Sequence, residues 1–182
     1  KRIRYRRIMK KLSTLLAAGI LVLVMAAALI SSPGCGIYRF TDAAIPDSIK
    51  TIKVNLLENR ASYINPSLSP GLSDKLRQKI LSQTKLSQTN NDNADWEISG
   101  TITQYSFSTS AITGQQASNN RLTVSISIIL QDRKADKTEK HEVSRSFEFR
   151  GDQSFQQAET NLAEEMIRTL TDDIFTKLFS KW

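Results

Sequence analysis

Leu122, Val124, Ile126, Ile128 and Leu130 alternate with Thr123, Ser125, Ser127 and Gln131. A two-residue period puts apolar side chains on one face of an extended strand and polar ones on the other. It predicts a strand over residues 121–131. Similar runs predict strands over residues 96–107 and 141–150, and Ile52, Val54 and Leu56 against Lys53 and Asn55 predict a first strand over residues 49–56. Gly151 and Asp152 end the last run.

Two other segments follow the helical period. Leu72, Leu76 and Ile80 fall four apart, with Lys75, Arg77 and Lys79 outside the stripe, which predicts a helix over residues 69–84. Ser69 suits its N-cap and Pro70 its first position. Leu162, Met166, Leu170, Ile174 and Leu178, widened by Ile167, Phe175 and Phe179, predict a second helix over residues 155–179. Ser154 and Gln157 have the spacing of a capping box at its start. Residues 58–70, 87–95 and 108–120 read as polar loops; the last is long for a hairpin connection. The order is β-α-β-β-β-α. It predicts an α+β fold: a four-stranded mixed sheet with both helices packed on one face, because short strands with one polar face need cover on the other side only.

Parity places Ser99, Thr101, Thr103, Thr123, Ser125, Ser127, Ser144 and Ser146 on the uncovered face. A solvated sheet usually carries more Lys and Glu. Hydroxyls cost less to desolvate than charges, so Thr101, Thr103, Thr123, Ser125 and Ser127 are candidate partner contacts. The plainer reading is that Ser and Thr are tolerated in strands.

The chain has 182 residues and a formal charge of +7. Lys1, Arg2, Arg4, Arg6, Arg7, Lys10 and Lys11 carry seven positive charges before any acidic residue. Taking them from the 25 Lys and Arg leaves 18, equal to the 18 Asp and Glu, so the rest of the chain is close to neutral and a nucleic-acid partner is not expected. The basic cluster precedes an apolar run over residues 12–30 and then Ser31, Ser32, Pro33, Gly34 and Cys35, which is the order of a secretory signal. An uncleaved membrane anchor is the rival. Cys35 is the one cysteine, so no disulfide is available to the chain. Gly34-Cys35 resembles the end of a bacterial lipobox, which implies acylation of Cys35. The expected domains are a signal over 1–34, a lipidated tether over 35–48 and one folded domain over 49–182. By resemblance to lipoprotein sorting rules, Gly36 in place of Asp and the absence of an acidic run after Cys35 imply an outer-membrane address facing the periplasm.

Little points to catalysis. His141 is the lone histidine and lies between Lys140 and Glu142. The adjacent pairs Glu164-Glu165 and Asp172-Asp173 diverge around a helix axis and read as solvated face. Asn91, Asn93 and Asp95 imitate the start of a calcium loop, but Trp96 stands where the turn glycine belongs. Zinc spacing and a phosphate-cradling loop are both missing from the sequence, so neither an enzyme nor a cofactor is expected.

The segments at residues 35–40, 81–86, 95–100 and 120–124, with Ile174, Phe175 and Trp182, resemble the LptE family in its Bacteroidetes form. The similarity covers residues 35–182 and rests on the ordered set. It implies an outer-membrane lipoprotein that sits largely inside the LptD β-barrel and helps deliver lipopolysaccharide to the outer leaflet. The family fold, two helices on a four-stranded sheet, agrees with the pattern above. Basic residues proposed to touch lipopolysaccharide in enterobacterial members do not align onto this chain. Local candidates for its phosphates are Arg133, Lys134, Lys137 and Lys140, near the turn before the last strand. The alternative there is a solvated turn balanced by Asp132, Asp136 and Glu139. For the whole chain the alternatives are a periplasmic lipoprotein that regulates cell-wall synthesis and a carrier with an internal cavity.

Overall fold

A computed structural model describes residues 45–113 and 116–180. The elements are β1 (Thr51–Val54), β2 (Glu58–Asn59), α1 (Leu68–Gln83), β3 (Ser87–Gln88), β4 (Trp96–Thr113), β5 (Gln116–Asp132), β6 (Lys137–Arg150) and α2 (Phe155–Phe179). One mixed sheet runs in the order β3-β1-β4-β5-β6, with β2 also beside β4. The pairs β1–β3, β1–β4 and β2–β4 are parallel, whereas β4–β5 and β5–β6 are antiparallel. The α+β class and the four main strands agree with the sequence pattern. The two additional strands, β2 and β3, have two residues each, too short to show a period.

Alternation does what it predicts. Ile98, Ile102, Leu122, Val124, Ile126 and Ile128 are buried on one face of the sheet. Against them lie Leu68, Leu72, Leu76 and Ile80 of α1 and Met166, Leu170, Ile174, Phe175 and Phe179 of α2, all in one apolar cluster. Leu72, Leu76 and Ile80 have no exposed surface, so shortening any one leaves a cavity under the sheet. Asp172 and Asp173 do more than face solvent. Asp172 pairs with Lys79 of α1 at 2.7 Å, and Asp173 pairs with Arg145 of β6, so adjacent carboxylates tie α2 to both layers.

α1 begins differently from the expectation. Ser67 occupies the N-cap without a side-chain bond to the helix, and Pro70 is the third helical residue. Ser69 is buried and donates its hydroxyl to the Leu57 carbonyl, while the Leu57 amide donates to Ser73 Oγ at 3.0 Å. Both backbone groups of Leu57 are thus satisfied by α1, which is why a serine that reads as a cap is drawn inside. α2 starts as expected: Ser154 Oγ accepts from the Gln157 amide, and the Gln157 side chain accepts from the Ser154 amide at 3.1 Å.

The largest departure is at residues 108–120. They form no loop. β4 and β5 continue, with Thr109 paired to Asn120 and Thr113 to Gln116. β6 stops at Arg150 opposite Asn119, so the end of this hairpin extends past the rest of the sheet as a two-stranded arm. Register shifts at 102/104, 109/111 and 111/112 bend it.

Candidate functional site

Thr101, Thr123, Ser125 and Ser127 lie on the open face, as parity predicts, and Thr103 is the extra residue of the first bulge, between Ile102, which opposes Ile126, and Gln104, which opposes Ser125. Thr103 Oγ1 donates to the Ser125 carbonyl at 3.2 Å. The hydroxyls also bond across the strands. Thr123 and Ser146 Oγ atoms are 3.0 Å apart, Ser125 and Ser144 2.9 Å, and Ser125 donates to Gln104 Oε1 at 3.2 Å. With its proton on Gln104, Ser125 accepts from Ser144. Side chains that already satisfy one another lose less when water is removed.

The end of the sheet where β4 begins is a knot of charge. Asp95 Oδ2 accepts from the Lys50 and Thr51 amides at 2.8 and 2.9 Å, and Lys134 Nζ lies 3.1 Å from Asp95 Oδ1. Those backbone bonds, with smaller help from Lys134, outweigh burial and hold the Asp95 carboxyl far below the usual carboxylate range. Lys134 also donates to the Ser48 carbonyl. Asp95 therefore joins the entry of the chain, the start of β4 and the turn at residues 133–136. Asp132 Oδ1 holds that turn by accepting from the Lys134 and Ala135 amides, both at 2.9 Å, and Asp136 takes a left-handed φ of 48°.

All four candidate phosphate contacts have carboxylate neighbours. Arg133 pairs with Glu97, Lys134 with Asp95, Lys137 with Glu139 at 2.6 Å and Lys140 with Glu142 at 3.6 Å. Glu97 is held below its usual range first by the Asn55 amide and then by Arg133 and Lys53, against burial. His141 sits 3.4 Å from Glu139.

The opposite end is aromatic, a feature the sequence reading missed. Tyr63 stacks on Tyr105 at 5.6 Å, Phe107 on Phe155 at 4.3 Å, and Phe149 meets both Phe107 and Phe155 edge-on. Glu159, one turn after Phe155, accepts from Tyr63 at 3.0 Å, from Tyr105 at 2.9 Å and from Asn65 at 3.2 Å. Burial, reinforced by Glu159, raises Tyr105 well above the ordinary phenol range, so it remains a donor. Tyr63 is 45% exposed, Phe155 49% and the adjacent Ile64 59%, which leaves an apolar patch on the surface. The available signal was Tyr105 and Phe107 two apart on a strand, with Phe155 and Glu159 four apart on a helix.

Cys35 and the expected signal lie outside the described residues. Among the described residues no helix is long and apolar enough to cross a membrane.

No curated protein matches the chain. Among solved structures it is similar to a hypothetical protein from Chlamydia trachomatis, with 10% identity, 71% of this chain and 98% of that one covered, and a TM-score of 0.48. It is also similar to the PelC dodecamer from Paraburkholderia phytofirmans, with 11% identity, 72% and 88% covered, and a TM-score of 0.45. A lipoprotein from Neisseria meningitidis aligns at 14% identity over 68% of this chain and 99% of that one, with a TM-score of 0.38. These likenesses are too loose to bear on function. The match to a family model is different in kind: residues 49–178, almost the whole of the folded part, match LptE, described as lipopolysaccharide-assembly, and the chain belongs to that family.

Proposed function

We propose that this protein is an outer-membrane lipoprotein that partners an LptD-type β-barrel as plug and assembly factor for lipopolysaccharide. The family match over residues 49–178 carries the reading. The sequence before residue 45 supports it. A basic cluster, an apolar run and a single cysteine after glycine are the parts of a lipoprotein leader. Acyl chains on Cys35 give stable attachment where a single chain does not. Cys35 precedes Ile45 by ten residues, a reach of at most about 36 Å, which keeps the domain close to the leaflet.

The mechanism in this reading is scaffolding. A barrel lumen is polar, and a domain seated in one must give up water across a wide surface. The open sheet face suits that, because its hydroxyls already bond one another. In the same reading the basic turn contacts lipopolysaccharide phosphates. Each cation there would exchange one anion for another, and Lys137 and Lys140, the more exposed, would exchange at least cost.

The test is affinity purification of the full-length tagged chain from detergent-solubilised outer membranes of its host. The expected result is an LptD-type barrel in near-equal amount, with loss of surface lipopolysaccharide on depletion. Recovery without a barrel, or depletion that alters cell-wall synthesis and leaves lipopolysaccharide in place, overturns it.

A further inference from the structure

The sheet has two long outer edges, and they are built differently. Among the described residues β6 pairs with β5 on one side only. Its 14 residues carry Lys137, Glu139, Lys140, Glu142, Arg145, Glu148 and Arg150. Charges along an edge are how proteins stop another strand from adding there. The second edge belongs to β4. Beside it β1 covers Trp96 to Ile98 and β2 covers Thr101 and Ile102. From residue 103 to 113 that side of β4 has no strand partner among the described residues. Residues 98–120 contain no Lys, Arg, Asp, Glu or His. This edge is unguarded.

The register says which backbone groups it offers. The Ile102 carbonyl accepts from the Arg60 amide at 3.0 Å, so Ile102 faces away from β5. Its partner Ile126 therefore faces away from β4, and so do Val124, Leu122 and Asn120, two residues apart along β5. Their partners Tyr105, Phe107 and Thr109 consequently turn their N–H and C=O groups to the free edge. Beyond Arg150 the arm is a two-stranded ribbon, a structure of marginal stability in water by itself. The exposed aromatic patch of Tyr63 and Phe155 lies at the root of the same arm, against Tyr105 and Phe107.

We infer that the free edge of β4 is where the protein receives an extended, uncharged segment of its barrel partner, which adds as a further strand along residues 103–113. This deepens the function proposed above and rests on it. A closed barrel has no free edge in its wall. The added strand must come from a loop or terminal segment inside the lumen or at its mouth. Main-chain hydrogen bonds supply the affinity, and an apolar side chain at every second position of the added strand covers Tyr63 and Phe155.

Thr109 gives a clean test. It is exposed, its amide points to the free edge, and proline there removes an outward donor without touching the β5 ladder. Thr109→Ala removes the side chain and keeps the amide. Both are made in the full-length tagged chain, co-expressed with the barrel and purified from membranes, with thermal melts to confirm folding. The expected result is about a tenfold loss of barrel per chain for Thr109→Pro, the equivalent of one or two backbone hydrogen bonds, and wild-type recovery for Thr109→Ala. Equal recovery in both variants, or equal loss in both, overturns strand addition while leaving the barrel partnership intact. A second copy of this chain in place of the barrel overturns the choice of occupant. Wild-type chain that brings down no barrel overturns the partnership and this inference together.

Discussion

The two ends of the sheet solve opposite problems. At the end where β4 begins, charged groups are matched within the chain: Asp95 with Lys134 and two amides, Glu97 with Arg133 and Asn55, and Lys53 with Asp92. At the other end β4 and β5 run on as an uncharged arm with an open edge, and aromatic rings reach the surface. An end whose polar groups are already partnered gains little from a neighbour. An end with free amides and exposed rings gains a great deal. In the proposed reading the matched end chiefly holds the fold together, with its exposed Lys137 and Lys140 left to meet lipopolysaccharide, and the open end meets the barrel.

Several substitutions test that division. Phe149→Ala should have the largest effect, because it empties a buried site among Phe107 and Phe155. We expect about 3–5 kcal/mol from denaturant unfolding. Amide exchange should speed up most at Ser106 and Ser108, whose amides point into the β5 ladder, and least at Glu97, which does the same at the other end; uniform acceleration would mean that the two ends are one cooperative unit. Asp95→Asn should cost about 1–2 kcal/mol at neutral pH through its weakened hydrogen bonds. Its sign with pH is fixed. The folded-state carboxyl lies below its ordinary 3.8, so its contribution is whole above that value and is lost as pH falls through the folded value. The gap between wild type and Asp95→Asn in pH-dependent unfolding should therefore close in acid; a gap that widens there contradicts the assignment. Tyr105→Phe, which removes one donor from Glu159, should cost about 1 kcal/mol at the aromatic end. Lys137→Ala with Lys140→Ala should be smallest, leaving the thermal melt unchanged, because both pairs are exposed and screened by solvent. That makes the double variant a direct reading of phosphate contact: in the proposed role it binds lipopolysaccharide more weakly at unchanged stability.

The legible parts of the chain were those where one face is buried. β5 showed its period from Leu122 to Leu130 because every second side chain meets a helix, and α1 and α2 showed stripes for the same reason. The arm was read as a loop because residues 108–120 are mostly small and polar and carry no apolar alternation to be seen. Ser69 was misplaced as a cap because its true partner, the Leu57 carbonyl, is twelve residues earlier in the chain and reached only in the fold. The aromatic cluster and the Asp95 hub depend on partners far apart in the chain, 40 residues for Asn65 with Tyr105 and 44 for Asp95 with Thr51. A single sequence records no such distance. The hydroxyl face was legible by parity alone, apart from the bulge at Thr103, which no local pattern announces.

The most direct test compares the two edges within one complex. In β6 the amides of Glu142, Ser144, Ser146 and Glu148 point outward, as those of Tyr105, Phe107 and Thr109 do in β4. Hydrogen exchange at both sets, measured for the full chain alone and with its barrel, reads which edge is covered. The account predicts that the β4 amides become protected and the β6 amides do not. Protection confined to β6, or no change at β4 in a complex that has formed, would contradict it.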